Sequence, residues 1–247
     1  MKLVTIYGGS GFLGRHVARR MAQAGWRVRV AVRRPAEAGF VRTYGTVGQV
    51  EPVLCNIRDD ASVAAAMSGA DAVVNAIGIL AEGGRNSFEA IQNEGPARVS
   101  RLAAVAGIER VVHISAIGAD ADSKSGYART KALGEEAVRS HVQSAVILRP
   151  SIMFGSGDSF FNRFAGLTRF GPVLPIVGGE TLFQPVYVDD VAMAVAKSVL
   201  GQVAAGTYEL GGPEVDSLRG LMQRMLVVIR RRRMIVNIPF WAARVMA

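Results

Sequence analysis

At 247 residues, with 50% hydrophobic and 20% charged side chains, the chain has the length and apolar content of a folded α/β unit and not of a disordered or collagenous one. Its net charge of +9 is local: seven of the 29 basic residues and none of the 20 acids fall in 219–247, and no basic face with interleaved aromatics spreads over the main body as a nucleic-acid binder needs. A single cysteine excludes an internal disulfide, His16, His113 and His141 show no metal-ligand spacing, and no apolar run reaches the ~18–20 residues of a spanning helix.

The chain opens on "MKLVTIYGG", a strand that begins at once and leaves no room for a signal or transit peptide, so a reducing, soluble compartment is expected. In "TIYGGSGFLGRHVARRM" three glycines three apart join this β-forming run to a helix whose Leu13, Val17 and Met21 share one face. Gly8 suits a tight turn, Gly11 a close approach of backbone to ligand, and Gly14 close helix–strand packing; free amides at a positive helix end then bind phosphate. "RVRVAV" (27–32) and "VEPVLC" (50–55) read as the second and third strands, the latter ending on Cys55, which is expected to be a small buried residue rather than a nucleophile. "DDASVAAAMSGA" is an acid-started helix, "DAVVNAIG" a fourth strand, "SFEAIQNEGPARVSRLAAVAG" a longer helix, "ERVVHIS" a fifth strand, "GYARTKALGEEAVRS" a helix and "SAVILRP" a sixth strand. Near-continuous apolar strands alternating with helices predict a doubly wound parallel sheet, a Rossmann core over 1–150. Beyond Pro150 a Gly/Pro/Phe-rich stretch, a helix from Asp189 and a short strand at "TYELGG" predict a small C-terminal lobe over 151–247, ending in a basic amphipathic tail packed on the same unit.

The second strand ends in Arg33 and Arg34, where an NAD binder carries an acid for the ribose 2′-OH. Guanidinium forks match a 2′-phosphate, so NADP(H) is the expected cofactor; the other reading is a solvated arginine pair. Asn56, after the third strand, meets an adenine edge or serves as a plain turn residue. Ser115 ends the fifth strand, and Tyr127 and Lys131 lie four apart on one helical face. A protonated lysine there lowers the phenol pKa from ~10 and lets the tyrosine exchange a proton with a carbonyl that Ser115 holds.

"GGSGFLG", "NAIG", Ser115, "YARTK" and "RP" at 149–150 together resemble the extended and atypical short-chain dehydrogenase/reductases over most of the chain. More narrowly, "YGTVGQVEPV", "IMFGSGDSFFNRFA", "RFGPVLPIVGGET" and "QPVYVDDVA" resemble the nucleotide-binding accessory subunits of respiratory complex I, the NADH:ubiquinone oxidoreductase. The resemblance implies cofactor contacts at Gly8, Gly11, Phe12, Leu13, Gly14, Arg33, Arg34, Asn56, Ala76, Tyr127, Lys131 and Pro150, a catalytic set of Ser115, Tyr127 and Lys131 that is either vestigial or, being complete, still able to act, and no metal. It also implies structural binding of NADP(H) in support of assembly and stability near the quinone site. The partners are then other complex I subunits at the junction of the peripheral and membrane arms. Residues 219–247, rich in arginine and large apolar side chains and including Phe240 and Trp241, suit an anionic membrane surface or docking on another subunit; the plain reading is a terminal helix packed on the lobe with its arginines in water. The expected location is peripheral, on the cytoplasmic face of a bacterial inner membrane, or the matrix side if mitochondrial. The alternative is a free NADP-dependent reductase or epimerase of the same superfamily.

Overall fold

The computed structural model describes residues 1–239. The chain divides into two units, 1–150 with 188–210, and 151–187 with the residues from 211 onward. The first contains, in order, β1 (Leu3–Tyr7), α1 (Phe12–Gln23), β2 (Arg27–Val32), a 3-10 segment (Pro35–Tyr44), β3 (Val50–Leu54), α2 (Asp60–Met67) and β4 (Ala72–Asn75). It continues with a π-helical turn (Glu89–Asn93), α3 (Glu94–Val105), β5 (Arg110–Ile114), α4 (Gly126–His141) and β6 (Val146–Pro150). The second unit holds β7 (Met153–Phe154), α5 (Phe160–Leu167), β8 (Val173–Val177), β9 (Leu182–Phe183) and β10 (Val186–Tyr187). The chain then returns to the first unit for α6 (Val188–Val199) and β11 (Gly206–Leu210), before β12 (Asp216–Ser217), α7 (Leu218–Val228) and β13 (Met234–Ile238) complete the second.

Seven strands form one sheet in the order β11-β6-β5-β4-β1-β2-β3, with every neighbouring pair parallel. In β1, β4 and β5 nearly every side chain is buried, as a sheet covered on both faces requires. Each buried Val or Ile contributes roughly 1.5–3 kcal/mol. The strand order reverses beside β1, whose neighbours are β2 and β4, and this is where doubly wound sheets open a ligand crevice beyond the strand ends.

A boundary at Pro150 does not describe this division. "TYELGG", expected in the lobe, supplies the edge strand β11, paired with β6 from Gly206↔Val146 to Leu210↔Pro150. The helix before it, α6, packs on α1, where Arg20 grips Asp189 with two nitrogens at 2.8 and 2.6 Å. Pairing between distant segments assigned these residues to the sheet, and no local signal announces it.

Within the second unit, β13 runs parallel to β8, and Leu174, Ile176, Leu221, Met222, Met225 and Leu226 form the core. The tail read from sequence as an amphipathic docking segment is thus, through residue 238, built into this unit. Arg231 donates to the Thr168 hydroxyl at 2.7 Å and Arg233 to the Thr168 carbonyl at 2.9 Å. Phe240 and Trp241 lie outside the described residues. Among the described residues no helix is long and apolar enough to cross a membrane.

Candidate functional site

The crevice at the sheet reversal is shaped by the glycine turn. Gly8 adopts φ +77°, a left-handed conformation that a side chain resists, and its amide donates to the Ala31 carbonyl at 3.0 Å. Gly11 stands in extended conformation as the N-cap of α1 and offers no side-chain cap, so the amides of Phe12 and Leu13 lack an intrahelical acceptor at the positive helix end. A Cβ on Gly14 would overlap the Gly8 carbonyl and the Gly9 Cα, which is why the helix can begin so close to the strand. On Gly11 a Cβ would meet only the Gly8 carbonyl, at 3.1 Å, and otherwise point into open space.

A cavity of about 250 Å³ lies over this turn, bounded by Gly8, Ser10, Gly11, Arg33, Asn56 and Ala76, among others. Backbone donors, a helix N-terminus and a guanidinium around one crevice fit a dinucleotide phosphate chain. Arg33 and Arg34 part company here. Arg33 borders the cavity, whereas Arg34 is exposed and turns to Glu37 at 3.0 Å. Asn56 borders the cavity and also builds its own turn, accepting from the Arg58 amide at 3.2 Å. Arg58 is a bordering residue that the sequence reading missed; its guanidinium donates to the Arg85 carbonyl at 2.7 Å. Its position two residues beyond Asn56, in "NIRD", is the one local signal that could have found it. Cys55 is 4% exposed at the end of β3, and burial pushes its thiol up to about 11, as befits a core residue and not a nucleophile.

The walls of this cavity do not include Phe12, Leu13, Gly14, Tyr127, Lys131 or Pro150. Phe12 offers its amide while its ring stacks edge-on with His16. Leu13 is buried. Pro150 closes β6, its carbonyl accepting from the Ile117 amide at 3.2 Å. Lys131 lies at the far end: a Cβ on Gly78, a cavity residue, would stand 3.5 Å from its Nζ.

The lysine is 4% exposed, and its ammonium donates to the Ile114 carbonyl at 3.1 Å. Burial pulls it down to about 8, with the Glu135 carboxylate opposing. Burial also raises the Tyr127 phenol above its usual value. This corrects the expectation that Lys131 would make the phenol more acidic: desolvation of the ring governs its pKa, and the ammonium is directed to backbone. Tyr127 packs edge-to-face on Phe88 with centroids 5.8 Å apart. Among the described residues the buried Ser115 Oγ has no hydrogen-bond partner. Glu135, fully buried one helical turn beyond Lys131, is clasped by two Arg149 nitrogens at 2.8 Å and fixes α4 to β6. Among the described residues no group of three or more His, Cys, Asp or Glu side chains is placed to hold a metal ion.

Comparison with known proteins agrees with this geometry. The chain is 36% identical over 253 residues to NADH dehydrogenase [ubiquinone] 1 alpha subcomplex subunit 9, mitochondrial, of Arabidopsis thaliana, covering 99% of this chain and 62% of that protein. It is 34% identical over 190 residues to the ceramide reductase of Caulobacter vibrioides, covering 77% of this chain and 58% of that one. The chain therefore spans about three fifths of the length of these curated relatives. Among solved structures, a DesIV double mutant (dTDP-glucose 4,6-dehydratase) from Streptomyces venezuelae with NAD bound superposes with a TM-score of 0.79 at 23% identity, covering 97% of this chain and 84% of the other, which establishes the fold. With a parallel sheet, a glycine turn at its reversal and a family match over residues 4–211, the chain belongs to the NAD dependent epimerase/dehydratase family.

Proposed function

We propose that this chain holds NADP(H) structurally, as an accessory subunit of respiratory complex I that supports assembly and stability of the enzyme. Its place is peripheral to the membrane, near the quinone site, beside other subunits where the peripheral and membrane arms meet. On a bacterial chain that is the cytoplasmic face of the inner membrane; on a mitochondrial one it is the matrix side. The host is suggested by relatives bearing that subunit name at 36%, 31% and 34% identity. The observation that carries the holding role is the glycine turn, whose open Gly11 and uncapped helix N-terminus stand at a cavity bordered by Arg33 and Asn56. Beside it, burial raises the Tyr127 phenol, and Lys131 gives one of its three donors to the Ile114 carbonyl.

In this reading the amides of Phe12 and Leu13 hold the pyrophosphate, Gly11 keeps the approach open, and Asn56 and Ala76 line the adenosine side. Arg33, with Arg58 nearby, receives the 2′-phosphate, and Lys131 and Tyr127 border the nicotinamide ribose. A bound dinucleotide supplies hydride chemistry; the protein residues here bind and orient it and keep Tyr127 from solvent. A second reading, a free NADP-dependent reductase or epimerase, is favoured by the complete set Ser115, Tyr127 and Lys131 and by the reductase relative.

The cofactor choice is tested by calorimetry with NADPH and NADH. A hydrogen bond to a charged group contributes roughly 1.5–3 kcal/mol, so NADPH should bind about tenfold or more tighter. Arg33→Ala should erase the difference and Arg34→Ala should preserve it. Equal affinities in the unmodified protein would overturn the NADP(H) assignment.

A further inference from the structure

The second unit carries a concavity that the dinucleotide role does not use. Its larger chamber, about 590 Å³, lies between α5 and α7 and is walled by Phe161, Ala165, Leu221, Met225, Val228 and Ile229. That volume falls within the ~300–1,000 Å³ of small-molecule sites. Asn162, Ala165 and Ile229 also bound an adjoining chamber of about 400 Å³ that ends on Arg169 and Arg231. The two chambers share these three lining residues, so aliphatic and aromatic walls adjoin two guanidinium groups.

The charges around it are unequally engaged. At the apolar chamber, Asp158 accepts from the Phe161 amide at 2.6 Å, and Glu214 and Asp216 both pair with Arg224. In the smaller chamber, Arg231 gives one donor to the Thr168 hydroxyl, and among the described residues no carboxylate pairs with it or with Arg169. A guanidinium has five donors and matches a carboxylate in bidentate geometry. The apolar side is also under-covered. Helix α5 has no fully buried residue despite Phe160, Phe161 and Phe164, while Val228, on the chamber wall, is 80% exposed.

We propose that the second unit binds a long-chain fatty-acid anion, its aliphatic chain between α5 and α7 and its carboxylate on Arg169 and Arg231. Asn162, Ala165 and Ile229 line both chambers, so chain and head group of such a ligand pass across these residues. Affinity then depends on both parts: the chain gains by leaving water, and the carboxylate gains only where the arginines stand.

Titration of the purified chain with monomeric oleate tests this, with oleyl alcohol as the uncharged control and phosphatidylglycerol vesicles as the membrane arm. One saturable site is expected for oleate. Arg169→Gln with Arg231→Gln should weaken oleate at least tenfold and leave oleyl alcohol nearly unchanged. Ala165→Trp should weaken both ligands. Val228→Asp, at an exposed wall position, puts a repelling charge beside the chain and covers the case that Ala165→Trp fails to fold, with thermal melting reporting folding for each variant. Absence of saturable oleate binding, oleate binding that survives Val228→Asp and Ala165→Trp in folded protein, or binding to vesicles alone would overturn the proposal.

Discussion

His113 is fully buried in β5, with its Nδ1 3.4 Å from the Asn75 amide nitrogen. The Asn75 side-chain oxygen accepts from the Ile77 amide, which turns the Asn75 NH2 toward Nδ1, while Nε2 is buried without a partner among the described residues. Burial, reinforced by Lys131 and Arg139, holds this imidazole down to about 3. A folded pKa below the unfolded value near 6.5 gives a contribution that is full above pH ~6.5 and is lost as pH falls toward 3. With about 1.4 kcal/mol per pKa unit, His113→Leu should reduce the loss of unfolding free energy between pH 7 and 5 by about 2 kcal/mol in urea melts. Parallel pH profiles for both proteins would contradict a neutral, buried His113. At this scale the sequence was informative about identity and less so about direction. Gly8, Gly11, Asn56 and Arg33 border the crevice while Gly14 lies behind it against the Gly8 carbonyl, yet nothing local says that Arg34 turns to Glu37 or that burial outweighs Lys131 at Tyr127.

Between elements, the packing of α4 on the segment before α3 has a specific cause. The helical pattern from Ser87 reads as one helix, but Pro96 has no N–H to donate to the Gln92 carbonyl four residues back. The chain widens into a π-helical turn over Glu89–Asn93 before α3 proper. Gly134 of α4 faces the carbonyl so released: a Cβ there would run into the Gln92 oxygen. Helix propensity favours Ala over Gly by ~1 kcal/mol, yet forcing these helices apart costs typically about 1–3 kcal/mol, so Gly134→Ala should destabilise on balance. A urea midpoint raised by this substitution would show that the two segments separate freely. The proline was in view in the sequence, whereas its partner glycine, some forty residues later, was not. The same holds for β11, whose residues read as a strand but whose place beside β6 depends on a pairing across the chain.

For the whole molecule, the basic C-terminal segment changes meaning once folded. Leu221, Met222, Met225 and Leu226 close the second unit's core over Leu174 and Ile176, so a chain ended at residue 218 would lose that core and not merely a docking surface. Arg231 and Arg233 serve Thr168, while Arg230 and Arg232 remain exposed. The charge excess was legible as a location, but its division between internal bonds and open surface required the fold. We have proposed that this chain holds NADP(H) within respiratory complex I. That proposal is tested most directly by purifying the native protein from its membrane in mild detergent and measuring the subunits and nucleotide that come with it. The account predicts complex I subunits and equimolar NADP(H), with the same yield of both from a Tyr127→Phe chain, whose ring packs as before without its ionisable proton. A chain recovered free of those subunits, or one that loses them with Tyr127→Phe while keeping its nucleotide, would contradict it.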